Sequence, residues 1–324
     1  MNKKNAAIFC LASRKDILKE TLKSLYDNWN NKYDYPVYIH YWGKVFDDSK
    51  YIDNINADIS PNIKFIKIKV EVPSHINEKD LFYNRTYNKY VRKKFSKKRI
   101  GYLHVCRFGT NITNYGAIGC IDESLRKYDY LMTIDDDSLF LKKINFDLFD
   151  EKHILSSGFC NLRVPLEVKK LCSENQFKFY KDYLKKNNII PKSDVMKEIL
   201  KDDDEDRFLQ LPLPAGNLVI YNIKKFLEYP WPDYLKEANE YAGDYKYRWG
   251  DMDTIGIFAY TFFDKPINNY DFVNKGYYLP ERKDTGLAPD PNSFLNYYSD
   301  KNFVKLLKKF YKLLRKILKW FKRY

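Results

Sequence analysis

Apolar positions along the chain first cluster at residues 6–12, a short run of the kind buried on both faces of a sheet, which predicts a strand. Behind it Ile17, Leu18, Leu22 and Leu25 recur at helical spacing and predict a helix over residues 16–28. Alternating aromatic and aliphatic residues at 36–41 and 63–70 predict two more strands. Strand, helix, strand, strand is the opening of a nucleotide-binding α/β half. Residues 76–99 are polar and basic, a helix or a surface insertion, and 117–127 reads as a helix. An apolar strand over 130–134 then runs directly into Asp135-Asp136-Asp137. Residues 174–209 are charged and irregular, as expected of a helix followed by exposed loop. A strand over 218–221 leads into a helix starting at Lys224, which Trp231 and Pro232 are expected to break. Residues 254–263 form a long apolar helix or strand.

The last segment has the clearest period. Phe303, Leu307, Phe310, Leu314, Ile317 and Phe321 make one apolar helical face, and lysines and arginines fill the other. Such a basic amphipathic helix has the pattern of a segment lying in a membrane interface, or of a helix packed on the body with its lysines solvated. Two regions are therefore expected: an α/β domain over 1–295 and this helix over 296–324.

Charge sharpens that division. The 324 residues carry a net charge of +14, yet residues 301–324 alone hold ten Lys and Arg and no acid. The body is only mildly basic, which argues against nucleic acid as a partner and suits a small anionic substrate. Aromatics reach 17%, enough for a large core with rings to spare for bases or sugars. The five cysteines, Cys10, Cys106, Cys120, Cys160 and Cys172, show no metal-binding spacing and read as scattered buried thiols. No apolar stretch at the start is long enough for a signal peptide or a membrane span. A cytoplasmic or cytosolic membrane-face location is the expectation.

Four constellations can carry chemistry. Three carboxylates at one strand end repel each other unless a cation lies between them. Alternate residues of an extended chain point the same way, so Asp135 and Asp137 can address one Mg²⁺ or Mn²⁺ that also binds a diphosphate. In Tyr247-Arg248-Trp249-Gly250-Asp251, Asp251 is either a helix cap or a group that orients or deprotonates an acceptor hydroxyl, and Trp249 offers a face to a sugar ring. Arg107, in Cys106-Arg107-Phe108, and Arg14, after the first strand, have the guanidinium fork that holds phosphate; an ordinary surface role fits their positions equally. Asn217, in Pro214-Ala215-Gly216-Asn217, sits where a plain turn or a sugar contact would. His104 reads as a satisfied internal histidine. No P-loop, GxGxxG or Ser/His/Asp order supports a kinase, dehydrogenase or hydrolase.

These pieces, in this order, resemble the fungal Golgi α-1,2-mannosyltransferases, glycosyltransferase family 15, over most of the chain. Ala6-Ala7-Ile8-Phe9 and Asn30-Asn31-Lys32-Tyr33-Asp34-Tyr35-Pro36 are similar to the family's opening strand and its Asn-Lys-Tyr-x-Tyr segment. Tyr102-Leu103-His104-Val105-Cys106-Arg107-Phe108 resembles Tyr-His-x-Cys-Arg-Phe, and Tyr128-Asp129-Tyr130 leads to the acidic triplet where the family has its Glu-Pro-Asp. Gly216-Asn217-Leu218-Val219-Ile220 lies where it has Ser-Asn-Phe-Glu-Ile. Arg248-Trp249-Gly250-Asp251 and Gly276-Tyr277-Tyr278 complete the set.

The resemblance implies a GT-A fold with a central mixed sheet flanked by helices, GDP-mannose as donor, Mn²⁺ as ion, a glycan or protein-linked acceptor and retention at the anomeric carbon. Residue by residue it implies Asp135 and Asp137 at the metal, Arg107 near the diphosphate and Asp251 near the acceptor. Two positions depart from it. The family's proposed glutamate nucleophile falls at Val219, and its metal-reaching histidine at Leu279. The family's N-terminal anchor has no counterpart, and the basic C-terminal helix is expected to replace it. A retaining hexosyltransferase is therefore expected, with a catalytically decayed membrane- or glycan-binding relative as the alternative.

Overall fold

In a computed structural model of the chain, the structure describes residues 3–84, 100–111, 125, 127–150, 152, 154–158 and 166–280. The expected 117–127 helix falls mostly outside these residues, as do the 301–324 helix, Cys120 and Cys160.

The first strand is β1 (Ala6–Leu11), followed by α1 (Lys15–Leu25), which runs on into a π turn at Tyr26–Asn30. β2 (Val37–Tyr41), α2 (Ser49–Asp58) and β3 (Ile63–Lys67) complete a β-α-β-α-β half. The pattern missed α2, whose only buried residue is Ile55, so its apolar face is too thin to show as a period. The third strand stops at Lys67, short of the expected Val70. Next come α3 (Ile100–Asn111), β4 (Tyr130–Asp135), β5 (Leu139–Phe140) and β6 (Leu155–Ser157).

The charged stretch after them is largely helical: α4 (Leu166–Cys172), α5 (Gln176–Lys186), α6 (Asp194–Asp202) and α7 (Glu205–Leu209). Phe177, Tyr180, Met196, Ile199 and Phe208 are buried here. Phe177, Tyr180, Tyr183 and Leu184 of α5 do recur at helical spacing, a period overlooked among the many charges.

β7 (Leu218–Asn222) and α8 (Ile223–Leu227) lead to α9 (Trp231–Tyr241). Helix α8 does stop before Trp231, as expected, and Trp231 and Pro232 then begin a new one. Proline has no N–H to lose in a first turn. α10 (Gly243–Tyr247), α11 (Asp251–Phe262), β8 (Ile267–Asn269) and β9 (Tyr278–Leu279) follow.

The main sheet has the order β3-β2-β1-β4-β7-β6-β8; β5 and β9 form a separate pair. β3, β2, β1 and β4 run parallel, and β7 is antiparallel to β4 and β6. The chain goes outward from β1 to β2 and returns across it to β4, so the topological switch point lies between β1 and β4. Ligands of open α/β sheets bind at such a crevice, beyond the carboxyl ends of the strands.

Alternation along the strands divides the core into two layers. Ala7, Phe9, Tyr38, Leu131, Val219 and Tyr221 face α3, α5, α9 and α11, with Phe108, Tyr180, Trp231 and Phe258 packed on them. Ile8, Cys10, Val37, Ile39, Met132, Ile134 and Ile220 face α1, where Leu18, Leu22 and Leu25 cover them. Cys10, Cys106 and Cys172 are free, buried thiols, in line with the sequence reading. Among the described residues no helix is long and apolar enough to cross a membrane.

Candidate active site

The acidic triplet sits where the switch point puts a ligand. In register, Leu11 is opposite Asp135 on one side and His40 on the other, so the strand ends form one row. β4 ends because the next residues turn back: the Ser138 N–H donates to the Asp135 carbonyl at 3.3 Å.

Asp136 and Asp137 share Arg14, while Asp135 has other partners. Asp136 is a structural anchor. One of its oxygens accepts the N–H groups of Ser13 and Arg14 (2.7 and 2.9 Å), and the other accepts Nε of Arg14 (2.9 Å). Thr21 in α1 donates to its carbonyl at 2.8 Å. Both Asp136 oxygens are thereby used to fix the β1–α1 turn against β4. Asp137 accepts from Arg14 at 2.6 Å. Arg14 therefore spans two carboxylates that are each 3% exposed, while its own side chain stays 44% exposed.

Asp135 points elsewhere. Its carboxylate accepts from the side-chain amide of Asn217 at 2.6 Å, and that amide also donates to the Pro280 carbonyl (3.1 Å). The Tyr278 hydroxyl donates to the Asn217 carbonyl (2.5 Å) and lies 2.6 Å from the Ser138 hydroxyl. Tyr278, Ser138 and Pro280 were not singled out from the sequence. Their hydrogen bonds tie β9 to the acidic turn, and the only advance signal was the Gly-Tyr-Tyr motif.

Asp251 opens α11 with Gly250 at the cap, one residue later than a capping aspartate would sit. Two glycines make room for it. A Cβ on Gly109 would lie 2.6 Å from its Oδ2, and one on Gly216 would lie 3.8 Å away. Gly109, in the last turn of α3, is another residue the sequence reading passed over. A helical glycine directly after Cys-Arg-Phe was its only mark. Asp253 in the same turn is paired with Lys169.

Electrostatics show what this cleft lacks. Burial, then the charges of Asp137, Asp136 and Asp251, push Asp135 up to about 7, against the opposing charge of Arg14. Burial pushes Asp251 up to about 6. Four carboxylates against one guanidinium favour an added cation. Among the described residues no three His, Cys, Asp or Glu side chains are grouped to hold a metal unaided. Two aspartates suit an ion that completes its shell with substrate phosphate and water, as Mg²⁺ and Mn²⁺ do. Asp135 and Asp137 are the two carboxylates of the triplet that would hold such an ion, Asp136 being taken up by the β1–α1 turn.

Two expected ligand contacts are corrected. The Arg107 guanidinium donates to the carbonyl and side chain of Asn239 (3.2 and 2.7 Å) and is ion-paired with buried Asp244. A buried aspartate must be matched by a cation, so Arg107 holds α3 to α9 and α10. Trp249 is 3% exposed, donates to the Glu174 carbonyl (2.9 Å) and packs on Phe179 and Tyr241 with centroids 5.3 and 5.2 Å away. A Cβ on Gly243 would overlap its ring, so that face too is covered. Both residues shape the site from behind. His104 is satisfied by the Tyr245 hydroxyl at 2.7 Å. The acidic run at 202–206 is surface: Asp204 caps α7, and Asp203 and Asp206 pair with Lys181 and Lys170.

Val219 and Leu279 also have firm places. Val219 is fully buried in the middle of β7, opposite Thr133 of β4. Leu279 is 2% exposed and pairs with Leu139.

A mixed sheet with an acidic turn at its switch point defines a GT-A-type glycosyltransferase. The profile of the family described as glycolipid 2-alpha-mannosyltransferase matches residues 1–286, and the chain belongs to that family. Its fold is shared by core-mannan synthase A (CmsA/Ktr4) from Aspergillus fumigatus, solved in a Mn/GDP form. That likeness has a TM-score of 0.66 and 17% identity, covering 83% of this chain and 73% of that one. The mannosyltransferase Ktr4p from S. cerevisiae gives 0.65 and 19%, covering 83% and 69%. Its complex with GDP gives 0.65 and 18%, covering 81% and 68%. No sequence among curated proteins matches the chain.

Proposed function

We propose that this mannosyltransferase moves mannose from GDP-mannose to a hydroxyl of a glycan or protein-linked acceptor, with retention at the anomeric carbon and with Mn²⁺ or Mg²⁺ held by Asp135 and Asp137. The observation that carries this reading is the Asp135 carboxylate, half-buried and pushed up by the charges of three neighbouring carboxylates, with the charge of Arg14 opposing them. When bound there, the ion supplies charge neutralisation for a departing diphosphate.

The chain's own residues do the rest. Arg14, reaching over Asp136 and Asp137, offers guanidinium N–H groups to the donor phosphates at the carboxyl edge of β1. Asn217 fixes the orientation of Asp135. Asp251, across the cleft and held against Gly109, orients the acceptor hydroxyl. Val219 is aliphatic, so no carboxylate at that position attacks the sugar. Retention then follows from attack on the face the diphosphate leaves. The anomeric carbon–phosphate oxygen bond breaks, the acceptor oxygen–carbon bond forms, and the acceptor proton passes to the departing phosphate.

The test is transfer and donor-binding assays across nucleotide sugars with and without Mn²⁺. A metal-dependent rise in melting temperature with GDP-mannose, together with transfer that Asp135→Ala abolishes, is the expected result. Full turnover in Asp135→Ala ends the metal role. The second reading, a non-catalytic binder, is favoured by Leu279, an apolar residue where the family places a histidine. It expects no transfer or donor hydrolysis with any nucleotide sugar. Contact of residues 301–324 with an anionic membrane surface belongs to either reading, and vesicle binding by the full chain against a chain ending at residue 300 tests it.

A further inference from the structure

We propose that Trp42 is the stacking platform for the base of the nucleotide donor. The inference rests on the reading of the chain as a nucleotide-sugar transferase, and names the residue that grips the nucleoside end.

The argument starts from strand parity. On β2, Tyr38 lies in the α3 layer and His40 packs on Phe108 of α3, with centroids 5.7 Å apart. Trp42, two residues beyond His40, comes to the same side: its ring lies 3.9 Å from where a Cβ on Gly101 of α3 would sit. On β4, Leu131 lies in that layer as well, and Asp135 shares its parity and feels the charge of Asp251. Trp42 and Asp135 therefore rise on one side of the sheet, beyond the same carboxyl edge.

Their lateral separation suits a nucleoside diphosphate. His40, Leu11 and Asp135 are in one row of the register. Asp135 is thus two strand spacings from β2, about 10 Å. Between them lies the turn of Ser13 and Arg14, the phosphate-seeking end of β1. A ligand with its phosphates over Arg14 and Asp135 and its sugar–base end toward β2 reaches the Trp42 ring.

Exposure singles the residue out. Trp29, Trp231 and Trp249 are 3% exposed or less, and the Nε1 groups of Trp29 and Trp249 donate to carbonyls at 3.1 and 2.9 Å. Trp42 is the only tryptophan among the described residues that is not buried in the core. A large ring left part-open at a ligand crevice is placed to gain by stacking, and every base presents a π-face.

The experiment titrates the full-length protein, in Mn²⁺, with GDP, UDP and inorganic pyrophosphate, reading tryptophan fluorescence and melting temperature. GDP is expected to quench the wild type. Trp42→Leu is expected to lose that quench and to bind GDP about 10- to 100-fold more weakly. Trp42→Phe, which keeps a ring, is expected to retain most of the affinity. Pyrophosphate, which has no base, is expected to bind wild type and Trp42→Leu alike. Equal GDP affinity in wild type and Trp42→Leu overturns the inference and leaves the transferase reading intact. A wild type that binds no nucleoside diphosphate by either readout overturns both.

Discussion

Asn217 and Asp135 close a ring between antiparallel neighbours. The Asp135 N–H donates to the Asn217 carbonyl at 3.2 Å, and the Asn217 amide donates back to the Asp135 carboxylate at 2.6 Å. Backbone and side chain thus fix one another where β4 meets β7. Asn217→Ala leaves the backbone bond and removes the side-chain donor. Partners that orient a metal ligand typically contribute about 10–100-fold to metal affinity or activity. Isothermal titration with Mn²⁺ and GDP is expected to show a loss in that range for Asn217→Ala, and a larger one for Asp135→Ala. Unchanged Mn²⁺ affinity in Asn217→Ala would show that Asp135 does not hold the ion.

Arg14 tests the charge balance from the other side. Arg14→Ala leaves Asp136 and Asp137 buried beside Asp135 with no guanidinium. Breaking a buried pair costs about 3–5 kcal/mol, and the half-exposed Arg14 side chain reduces this to about 2 kcal/mol. Asp136 keeps its two backbone donors, so the chain is expected to fold with a lowered melting temperature. Millimolar Mn²⁺ or Mg²⁺ is expected to restore more stability to this variant than to the wild type. Equal metal effects on both proteins would argue that Arg14 and the ion do not share the same carboxylates.

Much of this site was readable from residue order, and the limits of that reading have physical causes. The acidic triplet stood out because an apolar strand led straight into it, and the structure keeps Asp136 and Asp137 buried rather than splayed into solvent. The anchoring role of Asp136 was not legible, because it depends on Ser13, Arg14 and Thr21, distant in sequence. Arg107 and Trp249 were misjudged for the same reason. Their motif was recognised, but their partners lie on other elements: Asn239 in α9, Asp244 in α10 and Glu174 in the turn before α5. In the fold, strong periods such as β1 and α1 were plain. α2 was missed because Ile55 is its only buried residue, and 174–209 was under-read because the helical face of Phe177, Tyr180, Tyr183 and Leu184 is set among many charges.

Gly109 should separate activity from stability. A methyl group there would meet Oδ2 of Asp251 at 2.6 Å and its Cβ and Cγ at 3.1 Å, so the Asp251 side chain and the first turn of α11 must give way. Alanine is favoured over glycine within a helix by about 1 kcal/mol, which offsets part of that cost. Gly109→Ala is expected to stay folded while lowering kcat/KM for the acceptor about 100-fold, the usual effect of a shift near 1 Å in a positioned group. GDP affinity should be unaffected. A variant with wild-type acceptor kinetics would remove Asp251 from the acceptor site.

The pH dependence of stability gives a separate check on the carboxylate cluster. Burial and neighbouring charges raise Asp135 to about 7 and burial raises Asp251 to about 6, from an ordinary value of 3.8. Between about pH 4 and 7 the folded chain therefore holds protons that the unfolded chain has released. Stability contributed by these groups is fully present below pH 4 and is lost as pH rises through 6 and 7, at no more than about 1.4 kcal/mol per pH unit for each proton. A divalent cation takes the proton's place at Asp135, so its stabilising effect should grow over the same range. Thermal unfolding from pH 5 to 7.5 is expected to show a falling melting temperature without metal, a shallower fall in Asp135→Asn, and a gain from Mn²⁺ that is largest at the upper end. Identical slopes for wild type and Asp135→Asn would mean that Asp135 titrates as an ordinary surface carboxylate, and the electrostatic demand for a cation at this strand end would be gone.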